Sequence, residues 1–228
     1  MRLLKPFARI VNVSHPNHLR SINFYGRTCY KSPITSDPEK QSKFIKDRLD
    51  SGHESIIEHE SVTVEIFCDR GVSHELVRHR LCAFSQESTR YVNYGNREIE
   101  FIIPCWSEIQ EGIYENHQVA LFVGEQELRW LAAMSYAEQF YKELIQNGWT
   151  PQQARSVLPN SLKTELIMTA NLREWRHIFS LRCDKASHPQ MREIMLPLLK
   201  DFYLAMPDFF FDLYDRFFGG ACDKEESK

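Results

Sequence analysis

The sequence predicts an α+β fold, a single domain with a mostly antiparallel sheet and flanking helices. Segments with the two-residue alternation of strands and segments with helical spacing are mixed along the chain, and they lack the regular strand–helix–strand repeat of a parallel sheet. The 228 residues suffice for one sizeable core or two small ones. We expect one domain over residues 1–220 and a polar tail at 221–228.

The first half of the chain contains local patterns for two strands and a helix. The segment FARIVNV, residues 7–13, is predicted to be a strand, and SVTVEIFC, residues 61–68, alternates as a half-buried strand does. Between them, residues 36–52 carry helix signals, because Pro38 suits a first turn and Gly52 ends the helix.

The middle of the chain is predicted to contain helices and one strand. We expect a short helix at residues 72–81, a strand at 98–103 and mostly helix over 107–147, which Gly148 stops. After Pro151 a short helical turn should follow.

The last third begins with a predicted strand at residues 163–170. Asn171 offers an N-cap for the helix LREWRHIFSLR that follows it. Pro189 opens a last amphipathic helix, which Pro197 should kink. Pro207 begins an aromatic segment that we expect in the core or in a subunit contact.

Composition and charge argue against several classes of protein. A net charge of -3 and a pI near 6.3 are unlike a protein that coats nucleic acid. No apolar run approaches the length of a membrane span, and the N-terminus lacks the apolar core of a signal peptide. None of the six cysteines lies in a CxxC pair. We therefore expect no metal site, a reduced, cytoplasmic location, and neither nucleic acid nor membrane as a partner.

Residues 78–90, RHRLCAFSQESTR, concentrate arginine without lysine. The planar guanidinium group grips phosphate and carboxylate through two parallel hydrogen bonds. Ser85, Gln86 and Ser88, with their backbone amides, could line a turn that receives a phosphate. The alternative is a helix end, where arginine offsets the negative end of the helix dipole.

The stretch GHESIIEHE, residues 52–60, contains the start of a zinc-protease motif but does not complete it. That motif requires a second histidine four residues after the first, and this position is Ile57. One interpretation is a loop in which Glu58 and His59 pair locally. In the other, three side chains form the lip of a ligand pocket: His53, Ser55 and Glu58.

The segment 151–182 places arginines against an apolar helical pattern. Arg173, His177 and Arg182 fall on related turns, as residues that share a ligand would. Arg176 falls elsewhere and is expected to be a surface charge. The alternative is an ordinary amphipathic helix with exposed arginines.

These motifs resemble the signature of the flavin-dependent thymidylate synthases, the ThyX family, over residues 7–205. The resemblance rests on RHR followed by seven residues and serine, on GHESIIEH, and on two later segments. The matching residues are Arg78-His79-Arg80, Ser88, Arg90, Ala154-Arg155, Leu158-Pro159, Asn171-Leu172-Arg173 and Leu181-Arg182.

The resemblance implies an enzyme that converts dUMP to dTMP, with 5,10-methylenetetrahydrofolate as the carbon donor, FAD as the hydride carrier and NADPH as the reductant. It also implies a homotetramer with active sites at subunit junctions. The sequence contains no GxGxxG turn, so FAD is not expected to bind as it does in a Rossmann fold. Arginines from several chains would then neutralise its pyrophosphate.

The resemblance also implies which residues form the site. FAD is expected to contact Ser55, Glu58, Arg78, His79, Arg80, Gln86, Asn171, Arg173 and His177. The nucleotide dUMP is expected to contact Glu75, Arg78, Gln86, Glu87, Ser88, Thr89, Arg90, Arg155 and Arg182. In this assignment Arg90 and Arg155 lie near the phosphate. Arg182 lies at the uracil edge and activates N3–H, and His53 lies near the flavin and the folate. Glu75 stands where the family often has glutamine.

The chemistry itself favours Arg182 over a cysteine. Carbon 5 of uracil is a poor nucleophile, and either a thiolate adding at C6 or a charge beside N3 can activate it. Cys82 lies among apolar residues, where burial would raise its pKa. A fixed guanidinium beside N3 and O2 stabilises the uracil anion, an effect typically worth ~3 kcal/mol. Ser88 is interpreted as a phosphate or ribose contact rather than a nucleophile, because the arginines around it favour an anion.

Three other functions fit parts of the sequence. One is a module that binds single-stranded RNA through arginine and aromatic side chains. Another is a zinc hydrolase that uses His53, Glu54 and His59, and the third is a structural oligomer in which arginine pairs with glutamate. A yellow protein whose flavin absorbance shifts with dUMP would separate the enzyme from all three.

Overall fold

The structure is a computed structural model that describes residues 1–114 and 124–219. Its strands are β1 Arg2–Leu4, β2 Phe7–Val13, β3 Ser61–Asp69, β4 Ala83–Gln86, β5 Glu100–Ile102, β6 Gly112–Ile113 and β7 Lys163–Asn171. Its α-helices are α1 His18–Tyr30, α2 Pro38–Asp50, α3 Arg70–Leu76, α4 Glu125–Gln146, α5 Pro151–Ala154, α6 Leu172–Arg182, α7 Pro189–Ala205 and α8 Pro207–Phe218. Two 3₁₀ helices span Glu54–His59 and Arg155–Val157. The α+β class is confirmed.

The strands form two sheets. A four-stranded antiparallel sheet has the order β2-β3-β7-β4, and a three-stranded sheet has the order β5-β1-β6. In the smaller sheet β1 pairs parallel with β5, with Leu3 opposite Phe101, and antiparallel with β6. The expected mostly antiparallel arrangement is therefore confirmed, with β1–β5 as a parallel pair within it.

The chain divides into two compact units. Unit 1 comprises Met1–Phe7, Ile66–Arg78 and Ser85–Leu166. Its core is a cluster of buried side chains around the small sheet and α4, which contains Leu3, Tyr94, Ile99, Phe101, Ile103, Ile109, Leu131, Met134, Ala137, Tyr141, Ala154 and Leu162.

Unit 2 comprises Ala8–Glu65, His79–Phe84 and Ile167–Lys228, as far as the structure describes them. Its core contains packed aromatic rings from the last three helices. The ring of Phe202 lies 5.0 Å from that of Trp175 and 5.2 Å from that of Phe210, measured between centroids. The aromatic segment after Pro207 therefore contributes to the core, which confirms one of the two places predicted for it.

Two of the predicted helices are wrong in extent. The helix expected at 72–81 ends at Leu76, where the Arg78 amide donates to the Glu75 carbonyl in a tight turn, and His79 beyond this turn is buried. Residues 107–114 are not helical, since Gly112 pairs with Leu3 in the small sheet. Residues 115–123 of that prediction, and the tail after Gly219, lie outside the described residues.

Helix α1 and strands β1, β4 and β6 lacked a prediction. Helix α1 begins where the Asn17 side chain accepts a hydrogen bond from the Arg20 amide and ends at Lys31, whose φ is 50°. Pro197 lies within α7, where a kink remains a prediction. None of the described helices has both the length and the apolar character needed to cross a membrane.

Candidate active site

Helix α6 positions four of the residues assigned from the sequence. It begins at Asn171, whose side chain accepts a 2.9 Å hydrogen bond from the amide of Glu174, so the predicted N-cap is confirmed. The indole of Trp175 donates to the carbonyl of Val62 at 3.0 Å and fixes the helix against β3 within unit 2. This arrangement points Arg173 and His177 to solvent and leaves Arg182 half-buried at the last turn.

His79 lies beside the end of this helix and contacts Arg182. The Nε–H of Arg182 donates to Nε2 of His79 at 2.9 Å. Glu174 Oε1 lies 3.5 Å from Nδ1 of His79, and the ring of His177 meets the ring of His79 edge-on at 6.1 Å. Burial, then the positive charge of Arg182, then His177 lower the pKa of His79 to about 4. His79 is therefore neutral at pH 7, although a carboxylate lies near it.

The 3₁₀ helix Glu54–His59 supplies acidic partners for the arginines of α6. Arg173 donates to Glu58 and also lies 3.6 Å from Glu54. Glu58 is thus paired with Arg173 rather than with His59, whose ring packs against Tyr25. The local Glu58–His59 pair considered from the sequence is wrong.

Arg176 is buried, so its expected place on the surface is wrong. Its guanidinium binds both carboxylate oxygens of Asp212 at 2.7 Å, Glu54 at 3.1 Å and the carbonyl of Phe209. The prediction that Arg176 lies apart from Arg173 is also wrong, because residues three apart on a helix are neighbours and both guanidinium groups contact Glu54. Arg176 connects the 3₁₀ helix, α6 and α8 of unit 2.

A cleft of about 940 Å³ opens in unit 2 between these elements. Its lining residues are Glu54, Glu58, Leu81, Asn171, Arg173, Glu174, Arg176, His177, Ser180, Asp212, Leu213 and Arg216. Ligand pockets commonly measure ~300–1,000 Å³. Four carboxylates here face three guanidinium groups, so this cleft alone does not present a net positive charge to a pyrophosphate.

His53 lies at the entrance to the 3₁₀ helix and is exposed. Its Nδ1 lies 2.9 Å from the hydroxyl of Tyr30, at the last residue of α1. The guanidinium of Arg48 covers the ring of Tyr30 at 5.2 Å from its centroid and holds that ring in place. Ser55, the second residue of the same 3₁₀ helix, is exposed.

The residues expected around the dUMP phosphate lie in unit 1. The Ser88 hydroxyl accepts from the Arg90 amide at 3.3 Å, and the Ser88 carbonyl accepts from the Tyr91 amide at 3.1 Å, which makes residues 88–91 a turn. Arg155 Nη1 donates to the Thr89 hydroxyl at 3.3 Å. The guanidinium groups of Arg90 and Arg155 are exposed, so this turn carries the charge that an anion requires.

Gln86 and Glu87 are held by neighbours at the end of β4. The Gln86 amide donates to the hydroxyls of Ser73 at 2.9 Å and Thr164 at 3.2 Å. The Glu87 carboxylate accepts from the Tyr94 hydroxyl at 2.8 Å and lies 3.6 Å from Lys163. Burial and the adjacent Glu87 charge raise the pKa of Tyr94, which keeps its proton on this hydrogen bond.

The remaining assigned residues lie around α3. Glu75 is in the last turn of α3 and half-buried. Arg78 follows the helix in unit 1, Arg80 is the second residue of the unit 2 segment that begins at His79, and both arginines are exposed.

Cys82 is unsuited to be a nucleophile. Burial, and then the charge of Glu174, raise the pKa of its thiol to about 12. Burial likewise raises the pKa of Cys183 to about 12. At pH 7 neither thiol supplies a thiolate, so the sequence-based preference for an arginine over Cys82 gains support.

Within the described ranges, one set of histidine and carboxylate side chains gathers possible metal ligands within 4.8 Å of one another, namely His79, Glu174 and His177. It is not the His53, Glu54 and His59 set considered from the sequence. A guanidinium only donates, so the contact with Arg182 leaves the proton of neutral His79 on Nδ1, the atom that faces Glu174. That proton occupies the position a metal would need.

Sequence reasoning missed Glu174, Tyr30 and Arg216. Glu174 stands three positions before His177 on α6, a helical spacing that could have found it. Tyr30 and Arg216 come from α1 and α8, and no spacing within the chain connects them to the site.

Comparisons with known proteins show which family the chain resembles over most of its length. The family model described as "Thymidylate synthase complementing protein" (Thy1) matches residues 9–208. The chain is 32% identical over 183 residues to the flavin-dependent thymidylate synthase of Pyrococcus furiosus, covering 79% of this chain and 70% of that protein. For the Pyrococcus abyssi protein of the same name, identity is 34% over 156 residues, with coverage of 67% and 59%. For that of Geobacter sulfurreducens, identity is 30% over 217 residues, with coverage of 91% and 87%.

Proposed function

The chain belongs to the Thy1 family, that of the flavin-dependent thymidylate synthases, and on that premise we propose that it converts dUMP to dTMP in the cytoplasm. The proposed carbon donor is 5,10-methylenetetrahydrofolate, the proposed flavin is FAD, and NADPH is the proposed reductant. When bound, FAD supplies the hydride that reduces the transferred carbon. The remaining steps fall to the side chains of this chain.

The observation that carries the proposal is the contact between Arg182 and a neutral His79. Uracil becomes a better nucleophile at C5 when positive charge stabilises the anion at N3 and O2. Arg182 holds such a charge at the end of α6, and its Nε is oriented by His79 at 2.9 Å. Because the pKa of His79 is lowered to about 4, its imidazole adds no second positive charge beside the guanidinium at pH 7.

The cleft of unit 2 is the proposed site for part of FAD. Asn171, Arg173 and His177 line it and offer donors and acceptors for a flavin or a ribose. Arg173 is already neutralised by Glu58 and Glu54, so the two negative charges of a pyrophosphate require cations from elsewhere. We propose that a neighbouring protomer supplies them in a homotetramer whose active sites form at subunit junctions.

The turn at residues 88–91 is the proposed phosphate site for dUMP. Two exposed guanidinium groups, those of Arg90 and Arg155, would bind the phosphate, because the amides of Arg90 and Tyr91 already donate to Ser88 within the turn. Arginine forks are a common solution for binding a phosphate monoester. Gln86, fixed by Ser73 and Thr164, stands at the start of the same segment.

The test is a spectrum of the purified protein. We expect a yellow protein with flavin absorbance that shifts on addition of dUMP, and thymidylate formation when NADPH and methylenetetrahydrofolate are added. A colourless protein whose absorbance spectrum does not change on addition of dUMP would contradict the proposal. Salt-dependent affinity for single-stranded RNA in such a protein would favour an RNA-binding module instead.

A further inference from the structure

Glu174 is a buried carboxylate on α6 for which the proposed reaction has no role so far. Only 7% of its surface is exposed, and its Oε1 lies 3.5 Å from Nδ1 of His79. His79 is also buried, with 6% exposure, and its opposite nitrogen accepts the Nε–H of Arg182 at 2.9 Å. The three side chains thus form a line that ends at Arg182.

One assignment of protons satisfies the donors and acceptors along this line. A guanidinium cannot accept a hydrogen bond, so Nε2 of His79 carries no proton. The imidazole is neutral at pH 7, so its single proton is on Nδ1 and faces the carboxylate of Glu174. A carboxylate that holds one tautomer of a histidine is a recurring way to orient what the other nitrogen contacts.

We propose that Glu174 is a positioning residue that orients Arg182 through His79. The inference rests on the proposed function, in which Arg182 stabilises the uracil anion. Glu174 itself need not touch substrate or flavin. Its carboxylate keeps the Nδ1–H tautomer of His79, and that tautomer directs the Nε edge of the guanidinium inward.

Two substitutions of Glu174 separate positioning from mere packing. Glu174→Gln keeps an oxygen that accepts from Nδ1–H, so we expect kcat within about threefold of the wild type. Glu174→Leu removes every acceptor, and a misoriented catalytic group costs on the order of 10²-fold, so we expect kcat to fall ~10–100-fold with unchanged flavin content. Glu125→Gln, at an exposed ion pair of α4, is the matched control and should behave as the wild type.

The kinetic result would overturn the proposal in either of two cases. One is a Glu174→Leu enzyme as active as the wild type. The other is a Glu174→Gln enzyme as impaired as Glu174→Leu, with an equal loss of melting temperature, because that pattern reports packing of the site rather than an acceptor for Nδ1–H.

A second measurement does not require thymidylate formation. In the ¹⁵N-labelled protein, the imidazole resonances of His79, identified by their absence in His79→Gln, should show the Nδ1–H tautomer, and Glu174→Leu should shift the population towards Nε2–H. If the protein proves inactive but the tautomer responds, the proposed function fails and the Glu174–His79 contact stands. If the resonances are the same in Glu174→Leu, the positioning role is refuted whatever the activity.

Discussion

Arg176 and Asp212 form a bidentate ion pair, in which both nitrogen–oxygen distances are 2.7 Å. The Arg176 side chain is 8% exposed, whereas that of Asp212 is 41% exposed. Burial works against the charge of Asp212, but the hydrogen bonds and charge of Arg176 outweigh it and lower the pKa of this carboxyl group. The pair joins α6 to α8 at the wall of the cleft. Breaking the pair should therefore change the shape of the cleft.

Asp212→Ala should destabilise the protein by about 2 kcal/mol. Breaking a fully buried ion pair typically costs ~3–5 kcal/mol because a charge remains uncompensated. The loss here should be smaller, since Glu54 remains 3.1 Å from the guanidinium. Urea unfolding at a fixed protein concentration measures the difference.

The control for this prediction is Glu125→Ala, which breaks the Glu125–Arg129 pair on α4. Both of these side chains are 77% exposed, and such pairs typically contribute ~0.3–0.5 kcal/mol. If the two variants lose the same amount of free energy of unfolding, the buried pair has no special role.

Stability should decrease as the pH falls from about 6.5 towards 4. His79 has a folded pKa of about 4, below the ordinary histidine value of 6.5, mainly because of burial and then Arg182. Between these values the unfolded chain binds the proton and the folded chain does not, so acid favours unfolding. The contribution of His79 is complete above the unfolded pKa. His79→Gln should flatten the decrease in melting temperature across this window, and equal pH profiles for the two proteins would contradict it.

The elements that the sequence predicted correctly have signals within a few residues. Strand β3 alternates Val62, Val64, Ile66 and Cys68 into the core, and each of the four is 0% exposed. Asn171 marks the start of α6, because its side chain accepts a hydrogen bond from the amide of Glu174, three residues further on. Strand β1 could not be predicted in this way, because its three residues depend on partners about a hundred positions away.

The part of the site that the sequence predicts also depends on signals within a few residues. Spacing on α6 places Arg173 and His177 at the cleft, as expected from helix geometry. Spacing does not report what a helix face packs against, so it predicts Arg176 as a surface charge, whereas the guanidinium binds Asp212, 36 residues further on. The contact of Tyr30, at the end of α1, with His53, 23 residues further on, likewise has no local signal.

Tyr30→Phe should lower kcat several-fold while flavin binding stays the same. The hydroxyl of Tyr30 lies 2.9 Å from Nδ1 of His53, so its loss frees the imidazole to rotate. If Tyr30 acts only through His53, the double variant Tyr30→Phe/His53→Ala should be no slower than His53→Ala alone. Tyr136→Phe, on an exposed face of α4, is the control. Additive losses of rate would show that Tyr30 acts independently.

Arg155→Ala should raise the KM for dUMP and leave kcat nearly unchanged. A hydrogen bond to a charged group contributes ~1.5–3 kcal/mol, which corresponds to a rise in KM of about 10–100-fold. Deoxyuridine lacks the phosphate, so it should inhibit the wild type and Arg155→Ala equally. Arg97→Ala removes another exposed arginine of unit 1 and should not change the KM. A loss of affinity for deoxyuridine as large as that for dUMP would place Arg155 away from the phosphate.

Arg182→Ala should slow thymidylate formation by about 100-fold, because a preorganised charge beside a developing anion is worth ~3 kcal/mol. Arg182→Lys is the more informative change. Lysine keeps the positive charge but has no Nε–H for His79 and no planar fork, so we expect a rate between those of the wild type and Arg182→Ala. Single-turnover oxidation of the reduced flavin, in the presence of dUMP and methylenetetrahydrofolate, measures the step directly.

Lys185→Ala removes an exposed cation three positions beyond Arg182 and should leave this rate unchanged, which separates a local effect from a general loss of positive charge. If Arg182→Lys is as fast as the wild type, charge alone suffices and the orientation set by His79 is irrelevant. If Arg182→Ala also keeps the full rate, the guanidinium does not stabilise the uracil anion, and another group in the site must do so.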